Sequence, residues 1–224
     1  MGVSTLTRDT FDKRLNELKE QVLVMGGAVE KAISKSVEGL KKQDRAIALE
    51  VIEEDENIDQ LELKIEDKCL TLIARHQPMA KDLRRIGTIL KLITDLERMG
   101  DKAASISYKT LDLLDEPFIK PLVDIPRMAA TTENMVQDAL NAFVNENVKS
   151  ARKVILKDDE IDSLYNQIFR ELITYMISDP KTINQATQLL FISSDLETIG
   201  DHASRLGEWV IFMVTGDRIE INNK

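Results

Sequence analysis

One short motif occurs twice at a fixed spacing, and it constrains this chain more than any other feature. It reads Asp95-Leu96-Glu97-Arg98-Met99-Gly100-Asp101 in the first half and Asp195-Leu196-Glu197-Thr198-Ile199-Gly200-Asp201 in the second, an offset of 100 residues. Asp, Leu, Glu, Gly and Asp are identical in place. Each copy sets a Glu four residues before an Asp. On a helix such a pair shares one face, with Cβ atoms about 5–6 Å apart, and the like charges repel by roughly 0.2–0.5 kcal/mol. A chain that builds this repulsion twice calls for a cation, either a basic side chain or a metal ion.

Apolar residues recur along the chain in steps of three and four, the signature of helices packed lengthwise. Phe11, Leu15, Leu18, Val22, Met25, Val29, Ala32, Ser36 and Leu40 give a first helix over about Thr7–Leu40. Gly26 and Gly27 inside it point to close helix approach. Asp44 caps a second helix reaching to about Arg75, with the seam Ala48, Val51, Asp55, Ile58, Glu62, Ile65, Cys69 and Leu72. His76-Gln77-Pro78 breaks it, and Pro78 suits the first turn of the third helix. That helix runs to about Leu114 along Leu83, Ile86, Leu90, Ile93, Glu97, Gly100, Ala104, Tyr108 and Leu111. Glu97 thus falls in an apolar seam beside a Gly, which a solvated helix face does not explain.

Pro117, Pro121 and Pro126 mark a linker, after which the pattern restarts. Helices are expected over about Ile125–Asn145, Asn147–Ser178 and Pro180–Thr215, with Gly216 as the terminating residue. Asp158 and Asp162 match Asp55 and Asp59 at an offset of 103. The expected fold is therefore all-α: two tandem three-helix bundles, residues 1–115 and 116–224, related by a pseudo-two-fold internal repeat.

A short turn between long helices makes them antiparallel neighbours, so residues equally far from the turn lie opposite each other. With the first turn near Gln77, Asp55 and Asp59 fall opposite Glu97 and Asp101. With the second near Asp179, Asp158 and Asp162 fall opposite Glu197 and Asp201. The mismatch is one or two residues in each hairpin, about 2–3 Å at 1.5 Å per residue. Four carboxylates then converge in each hairpin, partly inside a seam, where unpaired charge is costly. Either protonation and basic partners relieve them, or metal does. Arg98 in the first motif corresponds to Thr198 in the second, so no shared Arg balances both, which favours metal. An all-oxygen ligand set suits Mg, Ca, Mn or Fe. His202 follows Asp201 directly and points off the Glu197–Asp201 face, so it reads as a flanking polar residue. Cys69, the lone cysteine, and Met128, Met135, Met176 and Met213 read as core.

The net charge of −9 argues against a nucleic-acid partner, which calls for a basic face. No apolar run approaches the roughly 20 residues of a membrane span. No signal peptide is evident, and the expected location is the cytoplasm. Catalysis finds little support: neither His76 nor His202 has the Glu three residues before it that the di-iron bundle pattern needs. A carboxylate-bridged metalloenzyme of the helical-bundle type is the alternative reading.

The two motif copies, with His76-Gln-Pro-Met-Ala-Lys-Asp-Leu-Arg84 and Asp55-Glu-Asn-Ile-Asp59, resemble the PhoU family of phosphate-uptake regulators over nearly the whole chain. The resemblance implies a non-enzymatic cytoplasmic negative regulator of the phosphate-starvation response, coupling a phosphate ABC transporter to a sensor histidine kinase. It also implies multinuclear metal clusters, often iron, with Mn, Zn or Mg as alternatives. Their ligands would be Asp55, Asp59, Glu97 and Asp101, and Asp158, Asp162, Glu197 and Asp201. Some members are dimers, so a homodimer is among the implied assemblies. Thr198 stands where the motif usually has Arg, and Arg205 where Asn is common.

Overall fold

The computed structural model describes residues 2–218, with side chains described from residue 9. Six helices follow in order: α1 Gly2–Lys42, α2 Arg45–His76, α3 Lys81–Leu111, α4 Asp124–Val144, α5 Val148–Ser178 and α6 Ile183–Thr215. A single 3₁₀ turn, Pro180–Thr182, precedes α6, and there is no strand among the described residues. The architecture is the all-α, twice-repeated three-helix arrangement that the sequence implies.

The helix ends follow local chemistry. Asp44 caps α2 by accepting from the backbone N–H groups of Ala46 (2.8 Å) and Ile47 (3.2 Å). Asn147 caps α5 through Ser150 N–H at 3.1 Å. Gly216 ends α6 in the left-handed conformation, φ 85°. One boundary differs from expectation. Gln77 (φ 44°) and Ala80 (φ 45°) both take positive φ, so the turn is longer and Pro78 lies within it. Helix α3 starts only at Lys81, and its cap residue Ala80 offers no side-chain acceptor.

The expected seams of α1 and α2 are buried at every apolar position. That of α3 is buried at Ile86, Ile93 and Ala104 but exposed at Leu83 and Tyr108, and Ile183 at the start of α6 is exposed as well. Helix α3 packs against α1, α2 and α6 together, so its buried stripe is broad and centres on Ile89, Leu92, Leu96, Met99, Ala103 and Ile106. Gly26 does serve close approach, since a methyl there would overlap the Leu140 side chain, whereas Gly27 faces open space.

One continuous apolar core draws on all six helices. Helices α3 and α6 form the central seam and run antiparallel, because Asp95 reaches His202 and Trp209 while Asp195 reaches Lys102 and Lys109. At one end of the seam, the segment after the His76-Gln77-Pro78 turn joins the two repeats: Arg85 donates to both oxygens of Glu146 at 2.7 and 3.0 Å, and Lys19 adds a third bond at 3.2 Å. At the other, the proline-rich linker is held down. Gln185 Nε2 donates to Pro117 O (3.1 Å), Ile119 N–H donates to Gln185 Oε1, and Lys120 pairs with Glu171.

Candidate metal centre

The α2–α3 hairpin brings the first carboxylate set together as its geometry requires. One oxygen each from Asp55, Asp59 and Asp101 lies within 4.8 Å of the other two. Gly100 permits this approach: a Cβ there would stand 3.1 Å from Asp55 Oδ1 and 3.0 Å from Ile58 Cδ1. Glu97 lies at the same depth, half-buried, where it feels Asp101, Glu62 and Asp59.

The electrostatics record an excess of negative charge. Burial, then Asp101, Asp59 and Glu56, push the Asp55 carboxyl up to about 6 from an ordinary 3.8. Burial, then Asp101, push Glu97 up to about 7 from 4.5, even though Arg98 opposes the shift. Arg98 reaches Glu97 Oε2 at 3.4 Å and Asp101 Oδ2 at 3.5 Å, but its side chain is 60% exposed. A solvated guanidinium at that distance contributes little screening to a half-buried cluster.

The second set occupies the α5–α6 hairpin. Burial, then Asp201, Asp162 and Asp158, push Glu197 up to about 7. Asp201 is also raised by burial, with Arg205 and His202 pulling the other way. Arg205 thus takes part of the counter-charge role that Arg98 has in the first set, while Thr198 turns back to bond its own helix at Ser194 O (2.9 Å). Gly200 again makes room, here for Ile161, whose Cγ2 would lie 3.1 Å from a Cβ. The structure therefore brings Asp55, Asp59 and Asp101 into one compact group, with Glu97 adjoining. It gathers Glu197, Asp201, Asp158 and Asp162 into mutual electrostatic reach. Among the described residues, the second set does not form a three-oxygen group as tight as the first.

A hard cation fits the first set. Metal–oxygen distances of about 2.0–2.6 Å let one ion span oxygens roughly 4–5 Å apart. Asp59 Oδ1 is sealed from solvent and has no hydrogen-bond partner, which is the state of an acceptor that a cation would satisfy. No histidine joins the group: His76 packs on the Phe11 ring at 5.7 Å, and His202 is engaged elsewhere.

Two features escaped the sequence. Glu62, one α-helical turn beyond Asp59 toward the hairpin, adjoins the first set and accepts from Thr94 Oγ1 at 3.0 Å; its acidic character at a seam position was the available signal. His202 is not a flanking surface residue. It is buried, with Nδ1 donating to Asp95 Oδ1 at 2.8 Å. Arg205 Nη2 donates to the other ring nitrogen at 3.3 Å, which places the ring proton on Nδ1.

Comparison with known proteins gives the same pattern. The PhoU domain family model matches residues 22–110 and again 125–210, one match per repeat. A phosphate-specific transport system accessory protein PhoU homolog of Clostridium acetobutylicum is 39% identical over 219 residues, covering 97% of this chain and all of that one. Its counterpart in Aquifex aeolicus is 43% identical over 208 residues, covering 93% and 94%. The crystal structure of PhoU from Pseudomonas aeruginosa superposes with a TM-score of 0.89 at 36% identity, covering 92% of this chain and 100% of that one. That of the phosphate transport system regulatory protein PhoU from Streptococcus pneumoniae gives 0.88 at 30%, covering 94% and 100%. This chain belongs to the PhoU family.

Proposed function

We propose that this chain is a non-enzymatic regulator of phosphate uptake whose two carboxylate sets bind metal ions. The observation that carries the metal reading is the Asp55–Asp59–Asp101 group, with its solvent-sealed, unpartnered Asp59 oxygen. The regulatory reading rests on full-length similarity to proteins named as accessory to phosphate-specific transport. Each repeat, residues 1–115 and 116–224, contributes one set: Asp55, Asp59, Glu97 and Asp101, then Asp158, Asp162, Glu197 and Asp201. Iron is the expected ion, with more than one per set where carboxylates bridge; Mn, Zn or Mg are the alternatives. The partners are a phosphate ABC transporter and the sensor histidine kinase of the phosphate response, met from the cytoplasmic side, and a homodimer is an expected assembly. No described helix is long and apolar enough to cross a membrane.

The acid groups hold negative charge at a half-buried depth with no ion in place, and Gly100 and Gly200 let the paired helices approach closely enough for those groups to converge. A bound cation would supply the neutralising charge.

Two experiments test the reading. Elemental analysis with anomalous scattering on protein prepared without chelator should find metal between α2 and α3 and between α5 and α6; absence there, also after soaking, removes the metal part. In cells deleted for the chain, phosphate uptake should stay high in phosphate-replete medium and fall on re-expression. Unchanged uptake removes the regulatory part.

A further inference from the structure

The first Asp of each motif is identical in place, yet neither Asp95 nor Asp195 belongs to a carboxylate set. Both are buried in the α3–α6 seam, at 8% and 6% exposure. Asp95 accepts from His202 Nδ1 (2.8 Å) and Trp209 Nε1 (3.2 Å), with Arg205 Nε 3.9 Å away. Asp195 accepts from Lys102 Nζ (3.3 Å) and Lys109 Nζ (2.7 Å). At the 100-residue offset, Lys102 corresponds to His202 and Lys109 to Trp209. The same pair of positions therefore clasps the opposite Asp in both directions, with different chemistry in each.

We propose that Asp95 with His202, and Asp195 with Lys102, are positioning residues that couple the two carboxylate sites, so that a cation taken up at one raises affinity at the other. The inference rests on the reading of both sets as cation sites.

Each clasp joins a residue beside one site to a residue beside the other. Asp95 lies two residues before Glu97, and its partner His202 directly follows Asp201. Asp195 lies two residues before Glu197, and its partner Lys102 directly follows Asp101. At 3.6 residues per turn, positions two apart point to nearly opposite sides of a helix. A rotation of α3 that turns Glu97 and Asp101 toward Asp55 and Asp59 therefore swings Asp95 along the other side, against α6. The seam cannot slip freely to absorb that motion, because slipping would strand Asp95 and Asp195 without partners in a buried setting. The motion passes to His202 and Asp195, which flank Asp201 and Glu197. Coupling is thus carried by a packed element whose position both sites bias, the physical requirement for linked binding. A staple with no coupling role would hold the repeats together equally well, so the test must read the linkage itself.

The test is calorimetric titration of the intact chain with Mn²⁺. In the wild type, affinity at the first site should be about 5–150-fold higher than in Asp158→Asn/Asp162→Asn protein, where the second site is disabled. Lys102→Met and Asp95→Asn should remove that difference while each site still binds; Lys102→Arg should retain it. Lys102 is partly exposed, so its replacement leaves a folded protein if Asp95→Asn does not. Sites that fill independently in the wild type overturn the proposal, as does coupling that survives both Lys102→Met and Asp95→Asn. If Mn²⁺ does not bind at all, the cation reading fails, and amide exchange decides the coupling alone. Asp55→Asn/Asp101→Asn should then alter protection around Asp201 in the wild-type background and not with Lys102→Met. Unaltered protection around Asp201 overturns the proposal.

Discussion

Asp59 and Asp101 sit on different helices, yet their carboxylate oxygens lie within 4.8 Å, and the inner oxygen of Asp59 has no hydrogen-bond partner. Two like charges held at that distance in a half-buried hairpin oppose the packing that brings them together. The apolar contacts of Ile58 and Ile161, under Gly100 and Gly200, hold the hairpins closed against that repulsion.

Removing one of these charges should therefore stabilise the metal-free protein. Asp59→Asn keeps the side-chain shape and removes a negative charge. The expected gain in chelator-treated protein is a few tenths of a kcal/mol, on the scale of one like-charge pair, read as a rise in urea midpoint at unchanged slope. The same substitution should weaken metal binding at the first set. A loss of stability without metal would contradict the repulsion argument.

The pH dependence has a definite sign. Glu97 and Glu197 are raised to about 7 and Asp55 to about 6, from ordinary values of 4.5 and 3.8. A carboxyl whose folded-state value lies above its unfolded value binds its proton more tightly in the folded state. That contribution is fully present below the unfolded value and is lost as pH rises through the folded one. Metal-free protein should lose thermal stability between about pH 4 and pH 7. Saturating metal should reverse the slope, because the bound ion favours the ionised form. Melting scans in chelator and in Mn²⁺ check both halves.

That the two sets are separate sites is checked by mutation at saturating metal. Glu97→Ala with Asp101→Ala should abolish metal at the first set and leave ions at the second, seen by anomalous scattering. Loss from both would contradict two separate sites.

Two glycines should respond in opposite directions. A methyl group at Gly27 would meet nothing within 4 Å, so Gly27→Ala should stabilise by about 1 kcal/mol through helix propensity alone. A Cβ at Gly207 would stand 2.9 Å from the Ala151 backbone oxygen, so Gly207→Ala should destabilise by about 1–3 kcal/mol through overpacking. Thermal melts of the two variants decide it.

Much of this protein was legible in its sequence. The helices, the cap at Asp44 and the stop at Gly216 follow from periodicity and local backbone chemistry, which act over one turn. The meeting of Asp55 and Asp59 with Asp101 follows from hairpin symmetry, because a short turn leaves the chain one antiparallel solution. What the sequence could not supply is the α3–α6 seam. That contact joins residues on separate repeats with no short turn to set their register, so nothing local told Asp95 from a surface acid or His202 from a flanking polar residue. The exposure of Leu83, Tyr108 and Ile183 has the same origin: which part of a helix is buried depends on how many partners surround it. Local spacing pointed to the two carboxylate sets, and only the packing of one repeat against the other decided that the aspartate at the head of each motif would clasp the opposite helix.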